Sequence, residues 1–305
     1  MTDPISVPPA ESAVLAQWSS DALTPLVSIC CTTFNHGEFI RDAVHGFLIQ
    51  KTSFPFEIIV HDDASTDGTT EILEELRSIY PRLIRLVVQD ENQWSKGCRL
   101  LANHVFTLAR GKYIAVCDGD DFWVDPRKLQ LQVDFLETNQ DFVLCFTDSQ
   151  GVIEDTQEVT QLTARRQDLS SLELQSTTSL FTSSACFRNE IKIWPDQLTR
   201  APYGDLVMWS LLGDFGKGKF ISEAQPIRQR VHPAGVHSMQ SKNDQVANAV
   251  ITNALLAAYR LEERESALAL LHVQNIILLS IKLYGLRLGT SMLYRALRKL
   301  RLVKA

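Results

Sequence analysis

The sequence predicts an α/β fold: a mostly parallel mixed sheet flanked by helices, with a helical extension at the C-terminus. Three observations predict it. Short apolar runs rich in β-branched residues alternate with stretches whose apolar residues recur at helical spacing. Polar clusters, "TTFN", "HDDASTD" and "DGDD", stand directly behind three of those runs. From residue 241 the chain is rich in helix formers and poor in turn residues.

In "PLVSICCTTFN", Leu26 to Cys31 form a near-continuous apolar run, the pattern of a strand buried on both faces, ending at polar Thr32, Thr33 and Asn35. "GEFIRDAVHGFLIQ" then sets Phe39, Ile40, Ala43, Val44, Phe47 and Leu48 along one stripe of a helix. "FEIIVHDDASTDGTTEILEELRSIY" repeats the order: a strand over Glu57 to Val60, a polar turn ending near Gly68, and a helix carrying Ile72, Leu73, Leu76 and Ile79 on one face.

"LIRLVVQ" reads as a third strand and "CRLLANHVFTLARG" as an amphipathic helix stopped at Gly111. "KYIAVCD" and "DFVLCFTD" follow as strands, and "LFTSSACFRN" has strand character. Residues 149 to 178 between them are polar and weakly patterned, a long loop or hairpin region. Crossovers in such a sheet are right-handed, and ligands gather at the carboxyl ends of its strands. The predicted organisation is a loose arm over 1–24, an α/β domain over 25–240 and a helical extension over 241–305.

The chain has 305 residues, 45% hydrophobic and 22% charged, an ordinary globular composition. Its formal net charge of −6 argues against a nucleic-acid partner. From Ser266 onward, however, Lys282, Arg287, Arg295, Arg298, Lys299, Arg301 and Lys304 meet no acid. The stretch over 266–284 suits packing on the body, and 291–305 suits an anionic membrane surface.

Six cysteines without a CxxC pair, most of them inside apolar runs, fit a reducing, cytoplasmic setting, with attachment to the inner membrane face through the tail. The first residues lack a secretory pattern, and no run reaches the roughly 18 to 20 apolar residues of a membrane span.

Asp118, Asp120 and Asp121 crowd three carboxylates into "CDGDDFW", where mutual repulsion is costly without a cation or hydrogen-bond donors. They are either an acidic surface turn or a site for Mg²⁺ or Mn²⁺, whose preferred ligands are hard oxygens and which leaves positions for substrate phosphates. Asp62 and Asp63 can accept from a nucleobase N–H or ribose hydroxyls, or they can cap the next helix. There is no GxGxxG behind the first strand and no GxxxxGK(S/T) in the chain, so phosphates need another cradle.

"VSICCTTFNHGEFI", "EIIVHDDASTDGTTEIL", "ARGKYIAVCDGDDFW" and "PRKLQLQVDFL", in this order and spacing, resemble a family 2 glycosyltransferase with the GT-A fold, a Rossmann-like arrangement, over roughly residues 25 to 238. The resemblance implies an inverting, metal-dependent transfer from a nucleotide sugar, a UDP-sugar, to a hydroxyl of a glycan or lipid-linked acceptor in cell-surface polysaccharide synthesis. It matches Thr32, Phe34 and Asn35 to the nucleotide pocket and Asp62 and Asp63 to the base- and ribose-binding pair. Asp118 and Asp120 match the DxD, and Asp121 is an extra acid common in the family. Together they are expected to hold the diphosphate through Mn²⁺ or Mg²⁺, with Asp121 either a third metal ligand or an acid that positions the other two.

Ala64 departs from the family's usual Gly, which makes a positive φ there less comfortable, and Phe34 replaces a frequent Tyr. "APYGDLVMWSLLG" resembles the acidic segment that supplies the catalytic base, selecting Asp205, which can alternatively serve as a helix cap. "IRQRVHPAGVHS" resembles an RxH...S segment. Arg230 is matched to phosphate, His232 to the metal or diphosphate, and Ser238 to the final position. Ser183 and Ser184 are expected on the acceptor side.

A nucleotide-sugar binding protein without turnover is a competing class, distinguished by loss of Asp205 or of the DxD. A nucleotidyltransferase would carry a Gly-rich, Arg-containing loop where "TTFNHGEF" stands.

Overall fold

A computed structural model describes residues 8–19, 24–97, 100–154, 156, 158–162, 165–177, 180–232, 235 and 240–299. The chain forms two compact units. The first comprises Met1–Ser171, Leu180–Lys192 and Phe215–Val231, and the second Leu172–Ser179, Ile193–Asp214 and His232–Ala305.

The first unit is built on a seven-stranded sheet. Strands β1 (Val27–Thr33), β2 (Phe56–Asp62), β3 (Ile84–Val88), β4 (Tyr113–Asp118), β5 (Phe142–Phe146), β8 (Cys186–Arg188) and β9 (Lys217–Phe220) lie in the order β3-β2-β1-β4-β8-β5-β9. Every neighbouring pair is parallel except those made by β8, which runs antiparallel to β4 and β5. The mixed, mostly parallel sheet expected from the sequence is the one observed.

The apolar runs dictate this burial. All seven residues of β2 are buried, as a strand covered on both faces requires. Helix α2 (Ile40–Leu48) buries Ile40, Ala43, Val44, Phe47 and Leu48 against the sheet. Helix α3 (Thr69–Ile79) buries Leu73 and Leu76. Gly46 lets α2 approach the backbone of Trp123, since a Cβ there would stand 2.8 Å from Trp123 N and O. The Trp123 ring meets Phe47 edge to face at 4.9 Å, a contact worth about 1 kcal/mol beyond the area buried. Helix α4 (Lys128–Thr138) follows β4.

A second, three-stranded sheet has the order β10-β6-β7, from β6 (Ser149–Ile153), β7 (Val159–Gln161) and β10 (Ile227–Val231). The weakly patterned region beyond residue 149 is therefore a hairpin, followed by α5 (Ser171–Thr177), rather than a loop.

The expected loose arm is also corrected. Helix α1 (Glu11–Leu15) buries Val14 completely, Trp18 Nε1 donates to Thr52 Oγ1 at 3.1 Å, and Arg82 N donates to Glu11 Oε1 at 2.7 Å. Apolar Val14 and Trp18 hold residues 8–19 to the body; residues 1–7 and 20–23 of the arm lie outside the described residues.

The second unit consists of α6 (Gly204–Leu212), α7 (Lys242–Glu262), α8 (Ser266–Lys299) and most of α5. Ser241 caps α7 by accepting from Asp244 N at 3.2 Å. Buried Arg260 on α7 donates to both Asp214 oxygens at 2.9 Å, to Glu265 at 2.8 Å and to Ser210 O at 2.8 Å. A charge so buried is stable only when paired, and these partners tie α6 to the C-terminal helices. The expected boundary at 240 therefore leaves out α6, which belongs with the extension.

Along α8, Ala269, His272, Ile276 and Ser280 are buried at helical spacing. Side chains from Leu283 onward, which include all the tail bases after Lys282, lie outside the described residues. Among the described residues no helix is long and apolar enough to cross a membrane.

Candidate active site

The strand order reverses between β1 and β4: β2 and β3 extend the sheet to one side of β1, and β4 lies on the other. Such a switch point opens a crevice at the carboxyl ends of the two strands, where ligands of open α/β sheets bind. Thr32 and Asp118 are register partners there, and Thr32 Oγ1 donates to Asp118 Oδ1 at 3.3 Å. Gly119 N donates to Thr32 O at 2.9 Å, drawing the turn after β4 over the end of β1. A Cβ on Gly119 would come within 2.6 Å of Thr33 Oγ1, a buried hydroxyl without a hydrogen-bond partner.

Beside it, Phe34 is a large aromatic left 41% exposed at the end of β1, a face available for stacking. Asn35, at φ 55°, donates through its backbone N to Ser65 Oγ at 2.8 Å and accepts from Thr66 N at 2.8 Å. It stitches the β1 loop to the β2 loop. Asp67 joins the same seam, accepting from Gly37 N at 2.9 Å and from Thr69 N at 3.1 Å. Burial raises the Asp67 pKa, but the hydrogen bonds from Thr69 and Gly37 outweigh it and leave the pKa below its ordinary value.

Asp62 and Asp63 are fully buried, and all four of their carboxylate oxygens are engaged within the protein. Asp62 accepts from Ser65 Oγ at 2.5 Å, from Ser65 N at 3.2 Å and from Thr70 Oγ1 at the start of α3. Asp63 accepts from Gln93 N at 2.7 Å and Trp94 N at 2.9 Å. Each oxygen carries two lone pairs, so Asp63 retains acceptor capacity while it orders the 93–94 backbone. Ala64, between this pair and Ser65, is at φ 64°. The backbone there is left-handed even though the residue carries a Cβ.

The acidic turn divides its three carboxylates. Asp120 lies beside His36, with Asp120 Oδ2 and His36 Nε2 3.8 Å apart. His36, which the motif reading passes over, is thereby a neighbour of the acidic turn. The available signal was its place directly after Asn35 in "TTFNHGEF".

Asp121 is 4% exposed and points inward. Its Oδ2 accepts from Ser183 Oγ at 2.6 Å and its Oδ1 from Arg230 N at 3.1 Å. Burial, then the charges of Asp120 and Asp118, raise its pKa well above the carboxylate range, against the pull of those two hydrogen bonds. The expectation of Asp121 as a direct metal ligand does not fit this orientation.

Two further expectations are corrected by burial and bonding. Ser183 and Ser184 are each 1% exposed. The Ser183 hydroxyl bridges Asp118 N, at 3.2 Å, and Asp121, while the Ser184 hydroxyl donates to Phe181 O at 2.7 Å. Neither hydroxyl is presented to an acceptor. Arg230 is not free to meet phosphate: Nη1 donates to Asp120 O at 3.0 Å, Nη2 pairs with Asp42, and the guanidinium stacks 4.5 Å from the Phe122 ring and 4.9 Å from the Phe39 ring.

Of the three acids of the turn, Asp118 and Asp120 are the candidate donors for a divalent cation. Among the described residues no group of three His, Cys, Asp or Glu side chains is gathered as a metal cage. Two hard carboxylates beside an open crevice fit Mg²⁺ or Mn²⁺, which binds through one or two carboxylates plus substrate phosphates.

Asp205 stands in the first turn of α6 and His232 is 6% exposed; both belong to the second unit. Ser238 lies outside the described residues. The described cysteines Cys30, Cys31, Cys117, Cys145 and Cys186 are all buried and free, and burial pushes Cys186 up to about 12, which keeps its thiol un-ionised.

The chain spans about half the length of the curated relatives it matches. A Mycobacterium tuberculosis protein described as uncharacterised is 38% identical over 167 residues, 54% of this chain and 47% of that protein. The Escherichia coli protein described as UDP-Glc:alpha-D-GlcNAc-diphosphoundecaprenol beta-1,3-glucosyltransferase WfaP is 36% identical over 117 residues, 38% of this chain and 43% of its own.

Two solved structures share the fold at low identity. Staphylococcus aureus TarS 1-349 in complex with UDP-GlcNAc matches 90% of this chain and 87% of its own, with TM-score 0.57 and 16% identity. The Pyrobaculum calidifontis mannosyltransferase PcManGT, in complex with GDP-Man and Mn²⁺, matches 100% of this chain and 80% of its own, with TM-score 0.56 and 16% identity. The pattern of the family described as Glycosyl transferase family 2 matches residues 28–191, which contain β1 from Ser28 onward, β2, β4 and the acidic turn. By that match over more than half its length, the chain belongs to glycosyl transferase family 2.

Proposed function

We propose that the protein transfers a sugar, with inversion, from a UDP-sugar to a hydroxyl of a glycan or lipid-linked acceptor in the synthesis of a cell-surface polysaccharide. The observation that carries this reading is the pair Asp118 and Asp120 at the switch point, on a chain of this family. A UDP-glucosyltransferase acting on a diphosphoundecaprenol-linked sugar, named among its relatives, supports the choice of donor and acceptor. The UDP-GlcNAc and Mn²⁺ complexes of its structural neighbours are in keeping with it.

Asp118 and Asp120 would hold Mn²⁺ or Mg²⁺, which supplies charge neutralisation to the donor diphosphate and the departing nucleoside diphosphate. His232 is retained as a further ligand on the family resemblance. Phe34 stacks against the base, and Thr32 and Asn35 shape the pocket beneath it. Asp62 and Asp63 accept from base and ribose through their remaining lone pairs.

Asp205 takes the acceptor hydroxyl proton as that oxygen bonds to the anomeric carbon. The bond from the anomeric carbon to the phosphate oxygen breaks, and its electron pair leaves with the nucleoside diphosphate. The basic tail over 291–305 rests on the anionic inner face of the membrane, near a lipid-linked acceptor.

The test is a screen of UDP- and GDP-sugars with Mn²⁺ and a diphosphate-lipid acceptor, read by nucleoside diphosphate release and by the anomeric configuration of the product. Release from a UDP-sugar with an inverted product is expected. No release from any donor, or a retained configuration, overturns the proposal.

A further inference from the structure

The acidic turn is braced from beneath. Ser183 Oγ has one proton and two lone pairs. It accepts from Asp118 N at 3.2 Å, which leaves its proton for Asp121 Oδ2 at 2.6 Å. One hydroxyl therefore links the first and last acids of the turn. Asp121 N closes the turn by donating to Asp118 O at 3.1 Å.

On the other side of Asp121, Arg230 N donates to Oδ1 at 3.1 Å, and Arg230 Nη1 donates to Asp120 O at 3.0 Å. Strand β10 is set against the turn by a two-bond bridge, Phe122 N to Arg228 O at 3.0 Å and Arg228 N to Phe122 O at 2.9 Å. The Arg230 side chain is clamped between the rings of Phe122 and Phe39 and paired with Asp42. Ser183 is itself anchored, since its carbonyl accepts from Trp123 Nε1 at 2.8 Å, and Trp123 is fully buried.

Every hydrogen bond described for Asp121 thus runs into the protein, and every group that receives its carboxylate also touches Asp118 or Asp120. We infer that Ser183 and Arg230 are positioning residues that hold Asp121 as an internal strut, so that of the three acids of the turn only Asp118 and Asp120 serve the cation and donor diphosphate. The inference rests on the proposed nucleotide-sugar chemistry for what the turn holds, and on geometry alone for how it is held.

The alternative is that Asp121 turns outward and ligates the cation directly. The two are separated by titrating Mn²⁺ into the full chain at a fixed UDP concentration, with free Mn²⁺ read by its electron paramagnetic resonance signal. The variants are Asp120→Asn, Asp121→Asn, Ser183→Ala and the Asp121→Asn/Ser183→Ala pair.

A strut predicts that Asp120→Asn abolishes Mn²⁺ retention. Asp121→Asn and Ser183→Ala each weaken it by about tenfold, the loss typical of groups that orient a metal ligand. The double variant is no worse than either single one, because both remove the same contact. Retention lost equally in Asp121→Asn and Asp120→Asn, with Ser183→Ala unchanged, overturns the strut.

A second readout needs no ligand. In Ser183→Ala the Asp118 amide loses its acceptor, and its hydrogen exchange is expected to accelerate by about tenfold or more. Exchange unchanged from the parent overturns the brace. If the parent protein retains no Mn²⁺ with UDP, the proposed function fails, while the amide exchange still decides whether the strut exists.

Discussion

Arg230 on β10 ion-pairs with Asp42 in the first turn of α2, across 188 residues of sequence, and thereby fixes the far side of the acidic turn. The Arg230 side chain is 9% exposed and that of Asp42 39%. Arg230→Ala removes charge-assisted hydrogen bonds and two ring contacts and is expected to cost about 3 kcal/mol. Asp42→Asn, at the wetter end, is expected to cost about 1 kcal/mol or less. Urea unfolding of the two variants checks the ranking, and equal losses would place the energy in the ion pair rather than in the stacking.

Ala64 holds a left-handed backbone at φ 64° that an L side chain resists. Ala64→Gly removes that strain and is expected to stabilise the fold by about 1 kcal/mol, less the added entropy of the unfolded chain. A higher urea midpoint at unchanged slope is the expected result. A lower midpoint would mean that the Ala64 methyl contributes packing that exceeds the strain.

The features most legible in the sequence are those set by continuous local patterns. The apolar runs around Ile29, Ile58 and Val116 give β1, β2 and β4, and their polar ends give the crevice. Residues 100–110 show the limit of that reading. An amphipathic spacing there predicts an ordinary helix, but Leu101–Val105 is a π turn and Phe106–Leu108 a 3₁₀ turn. Side-chain periodicity over so short a stretch cannot separate these hydrogen-bond patterns.

Strand β7 is mostly exposed, so it lacks the apolar alternation that marks a strand. The role of Ser183 depends on Asp121, 62 residues away, a pairing that no local pattern encodes. Asp121 itself was legible as an acid of the motif, but its inward orientation was set by Ser183 and Arg230.

His272 links α8 to α7, its Nδ1 lying 3.0 Å from Asn253 Oδ1. Burial, then the charge of Arg260, lowers its pKa from 6.5 to about 4. As pH falls below 6.5 the unfolded chain takes up the proton first, so stability declines until about pH 4, where the folded form is protonated too. The loss across that window is up to about 3 kcal/mol. His272→Gln is expected to flatten this part of the stability curve, measured by urea midpoints at several pH values. Parallel curves for variant and parent would contradict the assignment.

Seven bases without an acid from Ser266 onward predict a salt-sensitive attraction to anionic lipid. The 305-residue chain is expected to sediment with vesicles containing anionic lipid and to remain free of neutral ones. Deletion of residues 291–305 is expected to abolish sedimentation. Equal binding before and after deletion would remove the tail from the membrane contact.

The central claim is that Asp118 and Asp120 hold a nucleoside diphosphate through a divalent cation, and calorimetric titration of UDP tests it most directly. With Mn²⁺ present, the parent protein is expected to bind UDP, and chelation by EDTA or the substitution Asp120→Asn is expected to remove that binding. UDP binding that is indifferent to both treatments, or absent in the parent protein with Mn²⁺, would contradict the account.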